Sequence, residues 1–312
     1  MTHRWQKLGL LYCPSSDRRH PKLLSHAANP LPVHMVGDIY RVYFSGRDAL
    51  KRSSVGAVDV DIVKRQVVKE HAEPFFEHGP AGSFYADGVS VGNCYDDSGG
   101  RKHMLFMGWQ NPSDAHWRGD IGRLQVGGDF GLTMVDAQPL LASDATDPLG
   151  LSYPWVMRAG ADAPPDALFD MWYGSTLNWD AGNGEMLHVI QHSRSADGAH
   201  WEKEGLAVPF EIGVAQAYSR PTVVRDAHGL HMWFSYRGKV GQTYRIGYAF
   251  CPPGGSWELR LADTGIDVSS DGWDCEMIEY PFVFEHGGLR YMLYNGNGYG
   301  RSGFGLAVAG RE

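Results

Sequence analysis

Cysteine is scarce in this chain of 312 residues, and its four cysteines do not form a common metal or redox motif. Cys13, Cys94, Cys251 and Cys275 include no C-x-x-C pair. This argues against a zinc knuckle and against a dithiol redox site. We expect reduced thiols in a reducing compartment.

Long apolar runs and an excess of basic residues are also missing. No run approaches the roughly 20 apolar residues of a membrane span, and the stretch at 8–12 is too short for the apolar region of a signal peptide. Lys and Arg number 28 against 36 Asp and Glu, which gives a net charge of −8. This balance argues against nonspecific nucleic-acid binding and against anionic membranes as partners. We expect a cytoplasmic protein.

Amphipathic helical patterns of ten or more residues are absent, whereas glycine and aromatic residues are abundant. The chain has 40 Gly, 10 Trp, 15 Tyr and 13 Phe. Glycine costs roughly 1 kcal/mol in a helix interior, and together with many aromatics it is typical of short strands joined by tight turns. The composition therefore predicts an all-β protein.

An internal repeat organises these strands. The segments RPTVVRDAHGLHMWFSYR at 220–237 and YPFVFEHGGLRYMLYNGN at 280–297 place a Pro and a Met at the same separation, and each continues into a further alternating strand. The same pattern recurs upstream, which gives five units starting near residues 26, 84, 151, 218 and 278. Each unit predicts a small antiparallel sheet that must stack on its neighbours to bury both faces.

We therefore predict a five-bladed β-propeller with four-stranded antiparallel blades, formed as a single domain over residues 1–312. The C-terminal strand at 303–309 is expected to share a blade with the N-terminal segment. A two-sheet sandwich is the alternative architecture, and the five-fold repeat makes it the weaker one. Most aromatic side chains are interpreted as packing between blades.

Three segments carry a resemblance to a known group of enzymes: SRSADGAHW at 193–201, GWDCEMIEYPFVF at 272–284 and YMLYNGNGYG at 291–300. With the strand pattern, they make the chain from about residue 24 to 310 resemble the five-bladed β-propeller glycosidase clan. That clan holds arabinanases and xylosidases, invertases and mannoside phosphorylases. The segments are similar to its uncharacterised glycosidase-like branch. The resemblance implies a small carbohydrate as partner and no obligatory cofactor, although some members bind a central Ca²⁺.

The resemblance also places the active site at the axial funnel, where the innermost strand of each blade begins. Glycoside cleavage uses two carboxyl groups, one as acid and one as nucleophile or base. Asp87 at the start of the second unit is predicted to be the base or nucleophile, with a turn-capping role as the alternative. Glu276 is favoured as the general acid and Glu279 is the alternative, because strand alternation puts them on opposite faces.

The first unit departs from the clan, since it carries His26 and Asn29 where arabinanase-type and invertase-type members carry an acid. This leaves room for hydrolysis, for phosphorolysis or lyase-like chemistry, and for glycan binding without catalysis. No metal motif is recognised among the 14 histidines.

Arginine provides a second candidate set. A guanidinium fork binds carboxylate or phosphate in a two-point manner. Several arginines near one funnel would therefore suit an anionic sugar, a nucleotide-linked sugar or inorganic phosphate. The alternative is that these arginines form ion pairs between blades. The arginines are Arg47, Arg158, Arg220 and Arg237. The remaining substrate-binding candidates are His26, Asn29, Tyr85, Trp109, Tyr153, Tyr236, Asp274 and Tyr280.

Overall fold

A computed structural model describes residues 4–15, 20–160 and 168–310. The described residues form strands throughout, and the one helical element among them is a short 3-10 helix at Leu261–Asp263. The all-β class predicted from composition is therefore confirmed. The part of the chain that the structure describes contains no helix with the length and apolarity needed to cross a membrane.

The strands follow one another as antiparallel meanders, and their bounds are as follows. They are β1 (Gln6–Tyr12), β2 (Ser25–Val36), β3 (Ile39–Arg47), β4 (Ser53–Asp61), β5 (Gln66–Glu70), β6 (Gly88–Asp96), β7 (Lys102–Gln110), β8 (Arg118–Val126), β9 (Leu132–Met134), β10 (Gly150–Arg158), β11 (Phe169–Asn178), β12 (Leu187–Ser195), β13 (Glu202–Leu206), β14 (Ala217–Asp226), β15 (Gly229–Arg237), β16 (Arg245–Cys251), β17 (Glu258–Leu259), β18 (Glu279–His286), β19 (Leu289–Asn295) and β20 (Phe304–Gly310).

Strand pairing divides them into consecutive four-stranded meanders. The first is β2 to β5, the second β6 to β9, the third β10 to β13 and the fourth β14 to β17. The fifth is β18 to β20 completed by β1, which pairs antiparallel with β20 so that Gln6 lies opposite Val308. The predicted sharing of one sheet by the two ends of the chain is confirmed.

The innermost strands of the meanders contact one another in cyclic order. β2 contacts β6, β6 contacts β10, β10 contacts β14, β14 contacts β18, and β18 returns to β2. Single parallel bridges, Ser53 to Gly88 and His188 to Ala217, additionally join the first meander to the second and the third to the fourth. The contacts of the five innermost strands therefore form a closed cycle, and we call the region that they enclose the axis.

Aromatic side chains fill the space within and between the meanders. Trp172, Trp233, Tyr43 and Phe106 are among the largest fully buried side chains. Strand β4 is buried along its whole length, because neighbouring elements cover both of its faces. Burying a large aromatic removes 150–250 Å² from water, which explains why so many are needed in a protein made of narrow sheets.

Each innermost strand carries a β-bulge at the same place, where its register to the next strand shifts. We call these five sites the axial bulges. They are Asn29-Pro30, Gly92-Asn93, Tyr153-Pro154, Arg220-Pro221 and Tyr280-Pro281. In the four that contain proline, the first residue has a positive φ between 38° and 57°. Proline has no N–H to leave unpaired in the interrupted ladder, and bulges redirect side chains next to functional sites.

Candidate functional site

A cavity of about 450 Å³ opens at the start of the innermost strands. All five meanders contribute to its wall, which combines tyrosine and tryptophan rings with serine hydroxyls and cationic groups. Mostly apolar walls with a few placed polar groups are typical of small-molecule sites. The cavity is therefore the candidate functional site.

Six residues predicted from the sequence line this cavity. They are Asn29, Arg47, Trp109, Tyr153, Arg237 and Tyr280. Tyr153 and Tyr280 come from two axial bulges, and their hydroxyl oxygens lie 3.5 Å apart. The left-handed backbone at the axial bulges is what brings these side chains together.

The three acids of the fifth unit lie in different environments. Glu276 is exposed, and its contacts are made by its backbone: its carbonyl accepts from Thr243 and Arg245, and its N–H donates to Asn297 Oδ1. Asp274 is buried, accepts the Lys7 ammonium at 2.7 Å and accepts the Tyr294 hydroxyl at 3.0 Å. These contacts tie β1 to the rest of the fifth meander. Neither acid lines the cavity.

Asp87 also lies outside the cavity. It lines a separate depression with Arg52 and Arg118, and its Oδ2 accepts the backbone N–H of Asn111 at 2.7 Å. The contact joins the residue before β6 to the residue after β7, 24 positions further along the chain, so it links two segments and is not a local turn cap.

Four further candidates lie away from the wall. Arg158 is exposed at the opposite end of β10, with its guanidinium 4.7 Å from the Phe169 ring centroid. Tyr85 and Tyr236 pack against the apolar core. His26 lies beside Ser25, and burial together with Arg47 and Arg301 lowers its pKa to about 4.

Glu279, the first residue of β18, lies directly behind the cavity wall. Its side chain is fully buried, and neither carboxyl oxygen has a hydrogen-bond partner among the described residues. The groups that interact with its charge are Arg47, Arg237, Tyr153, Tyr244 and Tyr280, and all five line the cavity. Burial raises the pKa of Glu279 well above its ordinary value, although Arg47 and Arg237 act in the opposite direction.

The charge on the wall is positive. Arg47 and Lys51 line the cavity, and their side-chain nitrogens form no hydrogen bond or ion pair with other described residues. Arg237 is held by Glu185, with Nε 2.8 Å from Oε2, and lies 4.8 Å from the Tyr244 ring centroid. No Asp or Glu of the described ranges lines the cavity. Such a wall favours an anionic ligand.

A buried polar cluster at the wall was missed by the sequence analysis. Ser152 Oγ lies 2.7 Å from His188 Nε2, and Thr176 Oγ1 lies 2.7 Å from His188 Nδ1. Burial lowers the pKa of His188 to about 3. A Cβ at Gly174 would lie 2.1 Å from Ser152 Oγ and 2.4 Å from His188 Nε2, so the cluster exists because position 174 has no side chain.

Aromatic residues contributed by loops were missed as well. They are Trp117, Tyr244 and Tyr299. Trp117 and Tyr244 directly precede β8 and β16, and Tyr299 lies between β19 and β20. None of the three stands at the start of an innermost strand, where the site residues were predicted. Trp117 packs edge-on against Trp179, which itself stacks on His116 with ring centroids 4.4 Å apart.

A central Ca²⁺, which the family resemblance allows, does not fit the axis of this protein. Backbone carbonyls do converge there, and carbonyl oxygens are suitable Ca²⁺ ligands. However, the Arg220 guanidinium donates to the carbonyls of Pro30, Gly92 and Tyr280. A guanidinium therefore already takes the oxygens that such an ion would need. Within the described residues, no cluster of three His, Cys, Asp or Glu suited to a metal is present.

Comparison with solved structures assigns the fold. The chain matches a structure from the GH130 family of mannoside phosphorylases, with a TM-score of 0.74 and 12% sequence identity. The match covers 99% of this chain and 94% of that chain. That family is described as containing glycoside hydrolases that target β-1,2 mannosidic linkages in Candida mannan. The chain also matches a thermostable family-43 glycoside hydrolase with a TM-score of 0.67, 14% identity and coverage of 94% and 91%. The endo-arabinase of Bacteroides thetaiotaomicron gives 0.62, 12% and coverage of 95% and 98%. The protein has the fold of the propeller-type glycosidase clan, as the sequence resemblance predicted.

Sequence comparison identifies the narrower family. The chain is 42% identical over 308 residues to Uncharacterized protein Rv1502 and Uncharacterized protein MT1551 of two Mycobacterium tuberculosis strains, covering 97% of this chain and 98% of each relative. The chain belongs to the same family as these two mycobacterial proteins. No protein-family model matches it.

Proposed function

We propose that this protein is a carbohydrate-active enzyme that cleaves or transfers the glycosyl unit of an anionic sugar in the 450 Å³ cavity, with Glu279 as the proton donor. The observation that carries the proposal is a buried carboxyl group with a raised pKa, surrounded by side chains that line the cavity. The glycoside hydrolase and mannoside phosphorylase folds among the structural neighbours support the class.

The architecture in this proposal is one domain with five blades. The cyclic contacts of β2, β6, β10, β14 and β18 support it, because each four-stranded meander then forms one blade around the axis. The axial bulges recur at the same register position in each innermost strand. A five-fold arrangement explains this recurrence.

The chemistry requires an acid that keeps its proton near neutral pH. Glycosyl transfer breaks the bond between the anomeric carbon and the leaving oxygen, and the leaving oxygen must gain a proton. A carboxyl group removed from water remains protonated where an exposed one is ionised. Glu279 fits this requirement, whereas the exposed Glu276 lacks the desolvation that would keep it neutral.

The substrate in this proposal carries a phosphate or carboxylate. Arg47 and Lys51 present charges to the cavity without protein partners in the described ranges, and an anion would supply those partners. The rings of Trp109, Tyr153 and Tyr280 would cover the apolar face of the sugar.

A second candidate is phosphorolysis. Hydrolysis by the usual scheme needs two carboxyl groups at the substrate, whereas Glu279 lies behind the wall and no described Asp or Glu lines the cavity itself. Inorganic phosphate held by Arg47 and Lys51 would form the new bond to the anomeric carbon itself. Glu279 would protonate the leaving oxygen and then recover a proton from the phosphate.

The test compares turnover of a panel of glycosides and glycosyl phosphates, with and without phosphate, in wild type and three variants. Glu279→Gln should lose about 10²–10⁴-fold in kcat/KM, the usual contribution of a positioned acid, with an unchanged circular dichroism spectrum. Dependence of turnover on phosphate would identify phosphorolysis. Tight glycan binding without product from any substrate would instead support a noncatalytic binding protein.

Asp87→Asn and Glu276→Gln belong in the same experiment, because the sequence predicts catalytic roles for both residues. A loss in Asp87→Asn as large as in Glu279→Gln would support the predicted carboxylate pair. Full activity in Glu279→Gln would overturn the assignment of Glu279.

A further inference from the structure

A buried guanidinium stands at the axis without a carboxylate partner. Arg220 is 2% exposed and takes part in none of the ion pairs formed by the described residues. Its Nη1 donates to the Tyr280 carbonyl at 3.0 Å, and its Nη2 donates to the carbonyls of Pro30 at 3.0 Å and Gly92 at 3.3 Å.

These three carbonyls belong to three different meanders. Pro30 is in the first, Gly92 in the second and Tyr280 in the fifth, while Arg220 itself comes from the fourth. One side chain therefore connects the innermost strands of four meanders. The third meander, which Arg220 does not contact in this way, approaches closely at Gly92. A Cβ at Gly92 would lie 2.4 Å from the carbonyl oxygen of Pro154 in that meander.

The chemistry of this arrangement is that of a cation site. Transfer of an isolated charge out of water is costly unless other polar groups replace the lost hydration. Three carbonyl dipoles do so here, and carbonyl oxygens are the donors that hard cations such as Ca²⁺ accept. The Phe282 ring, 5.6 Å from the guanidinium carbon, adds a cation–π contact.

We propose that the Arg220 guanidinium is the built-in axial cation of this protein, in place of a metal ion, and that it positions Glu279 and Tyr280 at the cavity wall. The first part stands on the geometry alone, and the second part rests on the proposed function. Arg220 does not line the cavity, so it acts through the residues it holds and is a positioning residue.

The link to Glu279 is short. Arg220 fixes the carbonyl of Tyr280, which adopts a φ of 53° in its axial bulge, and Glu279 directly precedes Tyr280 in β18. A left-handed conformation at a tyrosine persists only when surrounding contacts hold it. Loss of the guanidinium would free this bulge and let water approach Glu279.

The shape of the guanidinium matters as well as its charge. Two different nitrogens of Arg220 reach carbonyls from three strands. A lysine ammonium presents its donors from one nitrogen and cannot span the same positions. Arg220→Lys therefore keeps the charge and loses the geometry.

The first experiment measures thermal unfolding of the whole chain. Wild type should show the same midpoint with EDTA as with millimolar CaCl2. Arg220→Ala should unfold several degrees lower, and low millimolar guanidinium chloride should raise its midpoint. The control is Phe282→Leu, which weakens packing at the same axis but keeps Arg220. Guanidinium chloride should not raise the unfolding midpoint of this variant. A fall of the wild-type midpoint with EDTA, or equal responses of both variants, would overturn the axial-cation role.

The second experiment tests positioning with Arg220→Lys, which also serves if the alanine variant does not fold. Its kcat/KM should fall by about 10²-fold, the cost of a small misplacement of catalytic groups. The limb of its pH–rate profile due to Glu279 should move to lower pH, because hydration of the carboxyl lowers its pKa. An unchanged profile would reduce Arg220 to a purely structural role. If wild type turns over no substrate, the proposed function fails while the unfolding experiment still decides the axial cation.

Discussion

The two ends of the innermost strands enclose spaces of similar size and opposite chemistry. The cavity at the start of the strands measures about 450 Å³, and the depression at their far end about 430 Å³. The near end carries cations without partners in the described ranges, tyrosines with a positive φ and a covered carboxyl group. The far end is lined by Trp155, Phe282 and Phe284 with a half-buried Cys94, whose pKa is raised to about 12 by desolvation.

Volume therefore does not distinguish the functional end of this protein. A larger space of about 740 Å³ lies at the outer strands of the third and fourth meanders, where Asp170 is engaged by His192 and Arg194. What distinguishes the near end is that two cations without hydrogen-bond or ion-pair partners among the described residues, Arg47 and Lys51, lie near the covered carboxyl group of Glu279. The Arg158 guanidinium at the far end lies against the Phe169 ring. Charged groups without protein partners can still bind a ligand, whereas groups that are already paired stabilise the fold.

The largest expected effect contrasts the arginines of the two ends. Arg47→Met should weaken binding of inorganic phosphate or an anionic sugar by about 10–100-fold, because a charged hydrogen bond contributes about 1.5–3 kcal/mol. Arg158→Met at the far end should leave the affinity unchanged. Isothermal titration calorimetry of both variants checks this, and equal losses would place the anion elsewhere.

A smaller effect is expected from one methyl group at the near end. Gly174→Ala should destabilise the protein by about 1–3 kcal/mol, the usual cost of overpacking, because its Cβ would meet Ser152 and His188. Gly128→Ala is the matched control, since a Cβ there meets nothing within 4 Å. Urea unfolding of the two variants gives the comparison. A stable Gly174→Ala protein would show that the Ser152–His188 contact can rearrange freely.

The smallest effect concerns the pH dependence of stability. The raised pKa of Glu279 means that the folded chain holds a proton that the unfolded chain releases above its ordinary pKa of about 4.3. The contribution of this proton to the free energy of unfolding is complete below that pH. It is lost as the pH rises toward the pKa of Glu279 in the folded protein. The stability of Glu279→Gln relative to wild type should therefore grow by up to about 1.4 kcal/mol per pH unit.

Urea unfolding at several pH values between 5 and 7 measures that slope. A difference between Glu279→Gln and wild type that stays constant over this range would mean that Glu279 ionises in the folded protein as it does in the unfolded chain.

The sequence predicted the framework better than the site. The all-β class followed from composition and strand alternation, which reflect burial directly. The pairing of the chain's two ends followed from the closure expected of a ring of blades. Tyr153 and Tyr280 were found because each stands at the predicted start of an innermost strand. Tyr244 and His188 were missed because their place on the cavity wall depends on how separate meanders face one another, and no local pattern encodes that.

Acidic residues illustrate the same limit. The chain pattern predicted Asp87 as the base or nucleophile and favoured Glu276 over Glu279 as the general acid. What separates them is desolvation, which other meanders impose. Glu279 is covered by groups from the first, third, fourth and fifth meanders or their connecting loops, such as Arg47 and Tyr153.

The pairing of β1 with β20 constrains how the protein can be made. Gln6 finds its partner Val308 only after the residues between them have been synthesised, so the fifth sheet closes after the strands of the other four meanders have been made. Contacts between residues far apart in the sequence form slowly. Until β1 pairs with it, β20 presents an open strand edge that can pair with other chains. The nascent protein is therefore most vulnerable to aggregation in the interval between release of β20 and its capture by a segment synthesised first.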